Sequence, residues 1–232
     1  MQKNELERFS TLNNLCVLHK IIDLRKQISE WKSEGLSVGL VPTMGGLHNG
    51  HGSLIKLASK KCDKVIVSIF INPTQFGDDE DFETYPQTQK SDITLISEAG
   101  GDAAFIPNVS EMYPRGFSTK VSVIGLTNML CGASRPGHFD GVTQVVAKLL
   151  NQVSADMAFF GEKDWQQLTI IKRLVRDLDI PTKIVNVATV RDEFGLALSS
   201  RNSYLNSSQL EIARKLSSVL QMTAYNIASG GY

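Results

Sequence analysis

The sequence predicts an α/β fold: an open, mostly parallel sheet with helices on both faces, followed by a small C-terminal unit. Three observations carry that reading. Short β-branched runs alternate with amphipathic stretches, as in successive βα units. One run, KVIVSIFI at 64–71, is apolar almost throughout, as expected of a strand covered on both faces. Polar clusters containing Gly or Pro recur where the inferred strands end.

Taken in order, SVGLV (37–41) reads as a strand and GSLIKLASKK (52–61) as the helix after it. His19 is expected in a helix. The strand at 64–71 stops at Asn72-Pro73, a turn signal. KSDITLISEAG (90–100) reads as a helix closed by glycine, and AAFIP (103–107) as a strand. Val142, Val145, Val146, Leu149, Leu150 and Val153 recur at helical spacing, which directs one face at a core. DMAFF (156–160) is a further strand. Leu168, Ile171, Leu174, Val175 and Leu178 form a second helical stripe, ended by Pro181, and TKIVNV (182–187) is strand-like. From Arg191 the pattern becomes polar and turn-rich, then one more helix starts at about Gln209. The domain boundary is placed near residue 190, giving a sheet domain over 1–190 and a C-terminal unit over 191–232. The chain has no repeat and no low-complexity tract.

With 232 residues the chain is long enough for a sizeable core, and 42% hydrophobic with 21% charged residues fits an ordinary globular protein. Lys plus Arg (24) balances Asp plus Glu (24), which argues against a nucleic-acid footprint or an anionic membrane surface as partner. A local basic pocket for a small phosphate ligand remains allowed. Cys16, Cys62 and Cys131 are far apart and form no C-x-x-C, so free thiols in a reducing compartment are expected. The N-terminal MQKNELERFS is too polar for a signal peptide, and no apolar run is long enough to span a bilayer. A cytoplasmic protein is the expectation.

The chemistry collects at four inferred strand ends: PTMGGLHNGH after 37–41, NPTQF after 64–71, GEKDWQQ after 156–160 and VRDEFGLALSSRN after 182–187. In an open α/β sheet those ends converge on one crevice. His48 and His51, three apart, admit three readings: metal ligands, catalytic groups or packing. A zinc site wants further ligands, and H-E-x-x-H is absent. A phosphate site needs less. Gly45, Gly46 and Gly50 allow close backbone approach, the following helix N-terminus offers N–H groups, and imidazoles there can donate to phosphate oxygens.

The H-x-G-H stretch resembles the signature of the nucleotidyl-transferring superfamily that includes class I aminoacyl-tRNA synthetases. Within it, PTMGGLHNGH, SIFINPTQF, SRPGHFDGV, FFGEKDWQQL and LSSRN, in this order over about residues 20–210, resemble the pantothenate synthetase (pantoate–β-alanine ligase) family. The resemblance implies a Rossmann-like sheet and a ligase that joins pantoate to β-alanine through a pantoyl adenylate. ATP is then a substrate, with Mg²⁺ bound to it, and AMP and pyrophosphate are released. It also implies a homodimer with small-molecule partners, no nucleic acid and no membrane.

On that resemblance His51, His48 and Lys163 are the catalytic candidates. Carboxylate attack on phosphorus loads negative charge on the phosphates, so positive charge and donors are needed. Lys163 follows a strand beside Gly161; the alternative is a solvated helix-end lysine. Ser199, Ser200 and Arg201 offer two hydroxyls and a guanidinium fork for phosphate oxygens, or else a helix-capping cluster. The resemblance extends ATP binding to Met44, Gly45, Gly46, Gly50, Gly161, Asp164, Val190 and Leu198, with Val190 acting through its backbone. It gives Gln75, Gln167, Asn72 and Met44 to pantoate or β-alanine. Met44 and Phe76 are apolar walls or ordinary core; Trp165 is expected to pack. The Arg135–His138 turn borders the cavity.

Four positions depart from the family pattern: Asn49 for Glu, Gly52 for a larger apolar residue, Cys131 for an acidic residue and Asp140 for a basic one. The family's C-terminal domain closes over ATP, and 191–232 is expected to be its beginning, truncated or shortened. Two competing readings are another nucleotidyltransferase acting on a phosphorylated substrate, and a non-catalytic nucleotide-binding module.

Overall fold

The computed structural model describes residues 15–77 and 80–231. The polar N-terminal segment read for a signal peptide lies outside the described residues. Strands β1 (Cys16–Leu18), β2 (Val38–Thr43), β3 (Lys64–Ile69), β4 (Ala103–Phe105), β5 (Met157–Gly161) and β6 (Lys183–Val187) form one sheet in the order β1-β4-β3-β2-β5-β6. Every pairing is parallel, with Leu40 opposite Ile66 on one side and Ala158 on the other. The mostly parallel sheet expected from the sequence is thus entirely parallel.

The helices are α1 (Ile21–Ser33), α2 (Asn49–Ser59), α3 (Gln89–Glu98), α4 (Val109–Met112), α5 (Cys131–Ser134), α6 (His138–Val153), α7 (Trp165–Asp177) and α8 (Ser207–Ala228). Short 3₁₀ turns occupy Pro73–Gln75, Glu162–Asp164 and Ser200–Tyr204. Because strand side chains alternate, each apolar run feeds two cores. Val38, Leu40, Ile66, Ala158 and Phe160 pack with α1, α6 and α7. Val41, Val65, Val67 and Phe159 pack with Ile55 of α2 and Ile96 of α3. The apolar run at 65–67 follows directly from this double covering.

Two expectations are corrected. His19 lies outside a helix, in the turn between β1 and α1, where its Nδ1 pairs with the Ile106 carbonyl at 2.8 Å. Leu178 leaves the α7 stripe: the helix stops at Asp177, and Leu178, now the C-cap, is 53% exposed. β1 and α1 are elements that the pattern did not single out. After β6 the chain makes an antiparallel bridge, Arg191 to Ala197, and α8 leans on that hairpin through Arg214, which stacks over Phe194 and reaches Asp192 Oδ2 at 3.4 Å. Among the described residues no helix is long and apolar enough to cross a membrane.

Candidate active site

β2 runs on to β3 and β4 in one direction across the sheet, whereas β5 and β6 lie on its other side. The strand order therefore reverses between β2 and β5, and in open α/β sheets that is where ligands enter. The four strands that carry the polar clusters are the contiguous set β3-β2-β5-β6, so their carboxyl ends share one edge. A cavity of about 260 Å³ opens there.

His48 and His51 line it. His48 is the N-cap of α2, and its Nδ1 accepts the Gly50 N–H at 3.1 Å; the His48 N–H in turn donates to His51 Nδ1 at 3.2 Å. A capping box normally built from Ser and Glu is built here from two imidazoles. The geometry fixes both tautomers: a ring nitrogen that accepts carries no proton, so each neutral ring bears its proton on Nε2. Burial pushes the His51 pKa down to about 3, with the neighbouring His48 and Lys163 adding to it. Burial, then Lys163, lowers His48 as well. Both rings are neutral donors at physiological pH. Gly50 has a different reason from ligand approach, since a Cβ there would stand 2.7 Å from His48 Cε1. The glycine makes room for the ring.

The Gly45-Gly46 pair also departs from the phosphate-cradle expectation. Both have positive φ, +89° and +61°. The Gly46 N–H donates to Asp92 Oδ2 at 3.0 Å and the Leu47 N–H to Asp92 Oδ1 at 2.8 Å. Gly45 N–H turns to Thr43 Oγ1 at 3.3 Å. Successive N–H groups in such a bend form an anion nest, and the anion in it is the protein's own buried carboxylate. Neither glycine lines the cavity.

Gln75 is buried in the 3₁₀ turn after β3, with Nε2 directed at Met44 Sδ, 3.2 Å away. Asn72 lies behind it: its Nδ2 donates to Gln75 Oε1 at 3.0 Å and to the Gly141 carbonyl at 3.1 Å, while its Oδ1 accepts Tyr113 Oη–H at 2.9 Å. Those partners decide which way both amides face, so Gln75 shows the cavity its NH₂. Asn72 thus supports the wall without lining it. Gly141 permits this arrangement, because a Cβ there would sit 2.2 Å from the Thr74 carbonyl oxygen.

Gly161, Lys163, Asp164 and Gln167 line the opposite wall; Lys163 Nζ is 3.7 Å from Asp164 Oδ1. Lys163 sits in the 3₁₀ turn ahead of α7 rather than in the helix. Trp165, expected to pack, is 61% exposed. Val190, Leu198, Ser199, Ser200 and Arg201 close a third side, where the Leu198 N–H donates to the Val190 carbonyl at 2.9 Å. Ser199 also caps its turn, accepting the Arg201 N–H at 3.3 Å, so the capping alternative is realised within the cavity lining. The Arg201 fork grips Asp81 at 2.7 and 2.9 Å and lies over the Tyr85 ring. Arg201 holds the Asp81 carboxyl below its usual range.

Arg135 and His138 line the rim. Arg135 Nη1 can only donate, so His138 Nε2, 3.0 Å away, accepts, and Nδ1–H donates to the Gln75 carbonyl at 2.7 Å. Arg135 also binds Glu80 through Nε at 2.7 Å. Sequence reasoning missed Glu80, Asp81 and Tyr85, which sit in a polar stretch with no motif signal, and Asp92, which nothing in the helix read over 90–100 marks out. It read Val142, Val145, Val146 and Leu149 as core alone, whereas they line the cavity too. Of the departures, Asn49 and Cys131 are exposed, Asp140 pairs with Lys120 at 2.8 Å, and Gly52 is buried with room for a Cβ 3.7 Å from Leu95.

Comparison with known proteins gives one consistent match. The family model described as pantoate-beta-alanine ligase matches residues 16–230. A pantothenate synthetase of Dinoroseobacter shibae is 54% identical over 214 residues, 92% of this chain and 76% of that protein. A crystal structure of pantothenate synthetase from Thermus thermophilus superposes with a TM-score of 0.87 at 45% identity, covering 94% of this chain and 77% of that one. That of a pantoate-beta-alanine ligase from Francisella tularensis, complexed with beta-gamma ATP and beta-alanine, gives 0.82 at 42% identity over 89% and 79%.

Proposed function

The chain belongs to the pantoate-β-alanine ligase family, and from that premise we propose how its own residues carry the reaction. Its activity is the ATP-dependent ligation of pantoate and β-alanine. In the first half-reaction a pantoate carboxylate oxygen attacks the α-phosphorus, the bond to the β-phosphate breaks, and pyrophosphate leaves a pantoyl adenylate. Charge grows on the phosphate oxygens during that exchange, so donors already fixed in place stabilise the transition state most. His48 and His51 donate through Nε2–H, and Lys163 supplies the positive charge.

The observation that carries this assignment is the engagement of both Nδ1 atoms by backbone N–H groups, at 3.1 and 3.2 Å. It removes any need for the rings to select a tautomer when substrate arrives. The nucleotide enters as its Mg²⁺ complex. Ser199, Ser200 and Arg201 take the outer phosphates, Gly161 and Asp164 the ribose–phosphate link, and Val190 with Leu198 the adenine side. The Gln75 NH₂ and Gln167 hold pantoate, with Asn72 fixing the Gln75 amide and Met44 supplying an apolar wall. In the second half-reaction the deprotonated β-alanine amine attacks the acyl carbon, the carbon–oxygen bond to AMP breaks, and the amine proton passes to solvent. Francisella's complex with beta-gamma ATP and beta-alanine supports both as ligands of this cavity.

The unit from residue 191 onward covers the nucleotide end, which the Arg201–Asp81 pair supports. A homodimer and a cytoplasmic location complete the proposal; exposed Ile124 and Leu130 favour self-association, and the three free cysteines favour a reducing compartment. Pantoate-dependent exchange of labelled pyrophosphate into ATP tests the scheme. Exchange that needs pantoate but no β-alanine is expected; exchange that needs a phosphoester instead contradicts it.

A further inference from the structure

We propose that Asp92, on the far side of the glycine loop, is a positioning residue for the two histidines; this rests on their assigned role in adenylation. Asp92 stands in the first turn of α3 and is 1% exposed. Its two carboxylate oxygens divide the work: Oδ2 takes the Gly46 N–H at 3.0 Å, and Oδ1 takes both the Leu47 N–H at 2.8 Å and the Thr88 hydroxyl at 2.9 Å. Leu47 is followed at once by His48, whose extended backbone and N-cap position begin α2. One buried carboxylate on α3 therefore sets the path of the chain into the imidazole capping box on α2. The approach is close, since a Cβ on Gly45 would lie 3.2 Å from Asp92 Oδ2 and 3.1 Å from Ile69 Cγ2.

The chemistry of the pair explains why a carboxylate stands there. Two N–H groups converge on it, and only an ionised carboxylate offers an acceptor to each. An asparagine of the same shape turns one oxygen into an NH₂, and one backbone donor then faces another donor. The loop must shift, and with it the register between Gly50 N–H and His48 Nδ1. Misplacement of about 1 Å costs on the order of 10²-fold in rate. The pantoate side of the cavity hangs on Asn72 and α6 instead and stays in place.

The experiment compares Asp92→Asn with the wild-type enzyme and with His51→Ala. It measures kcat and KM for pantoate, thermal unfolding, and the ¹⁵N chemical shifts of the histidine ring nitrogens. The expected result for D92N is a folded protein whose kcat is down on the order of 10²-fold, with pantoate KM little changed. The His48 ring should exchange between tautomers where the wild type holds a single Nε2–H form. Wild-type kcat, or unaltered histidine shifts beside a lowered kcat, overturns the proposal. If D92N does not fold, Thr88→Val loosens the same carboxylate by one hydrogen bond and must show the same signature at smaller size, or the proposal fails. The two readings fail separately: an active H51A sinks the histidine assignment, whereas an inactive H51A beside an active D92N sinks only the role of Asp92.

Discussion

The His48 and His51 rings stand 4.1 Å apart, centroid to centroid, each with Nδ1 bound to a backbone N–H of the same helix turn. They cap the helix and keep their own donors for the cavity. Gly50 is the residue that lets them do so. Gly50→Ala places a methyl 2.7 Å from His48 Cε1, so the ring must move. The expected outcome is a loss of kcat on the order of 10²-fold with the circular dichroism spectrum retained. An alanine variant of wild-type kcat contradicts the packing argument.

Asn72 tests the pantoate wall. Asn72→Ala frees the Gln75 amide to rotate and removes the side-chain donor to the Gly141 carbonyl and the acceptor of the Tyr113 hydroxyl, which keeps only its 3.4 Å contact with Thr74 Oγ1. Stability should fall by about 1–3 kcal/mol. Pantoate KM should rise roughly tenfold, the worth of one oriented hydrogen bond, while KM for ATP holds. Separate titrations of the two substrates check it.

Asp81 occupies the Arg201 fork. A triphosphate must displace or share it. Both side chains are partly exposed, which limits the pair to about 0–1 kcal/mol. Asp81→Asn should therefore lower KM for ATP by no more than about fivefold. A raised KM means that Asp81 positions Arg201 instead of competing for it.

The depressed His51 pKa has a consequence for stability. Folded His51 titrates at about 3, against 6.5 when unfolded, so the unfolded state binds the extra proton between those values. Stability is fully present above pH 6.5 and falls as pH drops towards 3. His51→Gln removes that titration, so its Tm should decline less steeply than that of wild type between about pH 6.5 and 5, above the ordinary carboxylate range. Parallel melting curves across that window give the comparison.

The strands and long helices follow from period alone: Leu40 and Val41, or Ile66 and Val67, face opposite cores, and an alternation that is apolar on both sides leaves a strand no other place. A three-residue strand such as β1 offers too little pattern to read. The cluster at the strand ends was legible because residue types there are unusual. What served what was not. The glycine pair looked like a phosphate cradle, yet the anion in it comes from Asp92, 46 positions beyond Gly46 along the chain. Only the packing of α3 against the loop brings that carboxylate in. Gly141 and the Glu80–Arg135–His138 chain are likewise products of close tertiary approach, which no local spacing records.

The central claim is that His51 stabilises charge developing in adenylation, as a neutral Nε2–H donor. The most direct measurement is pantoate-dependent ATP–pyrophosphate exchange by His51→Ala. The account predicts an exchange rate lowered on the order of 10²–10³-fold, as for loss of one preorganised donor, with KM for ATP near that of wild type. An unchanged rate with an effect confined to KM for ATP contradicts it.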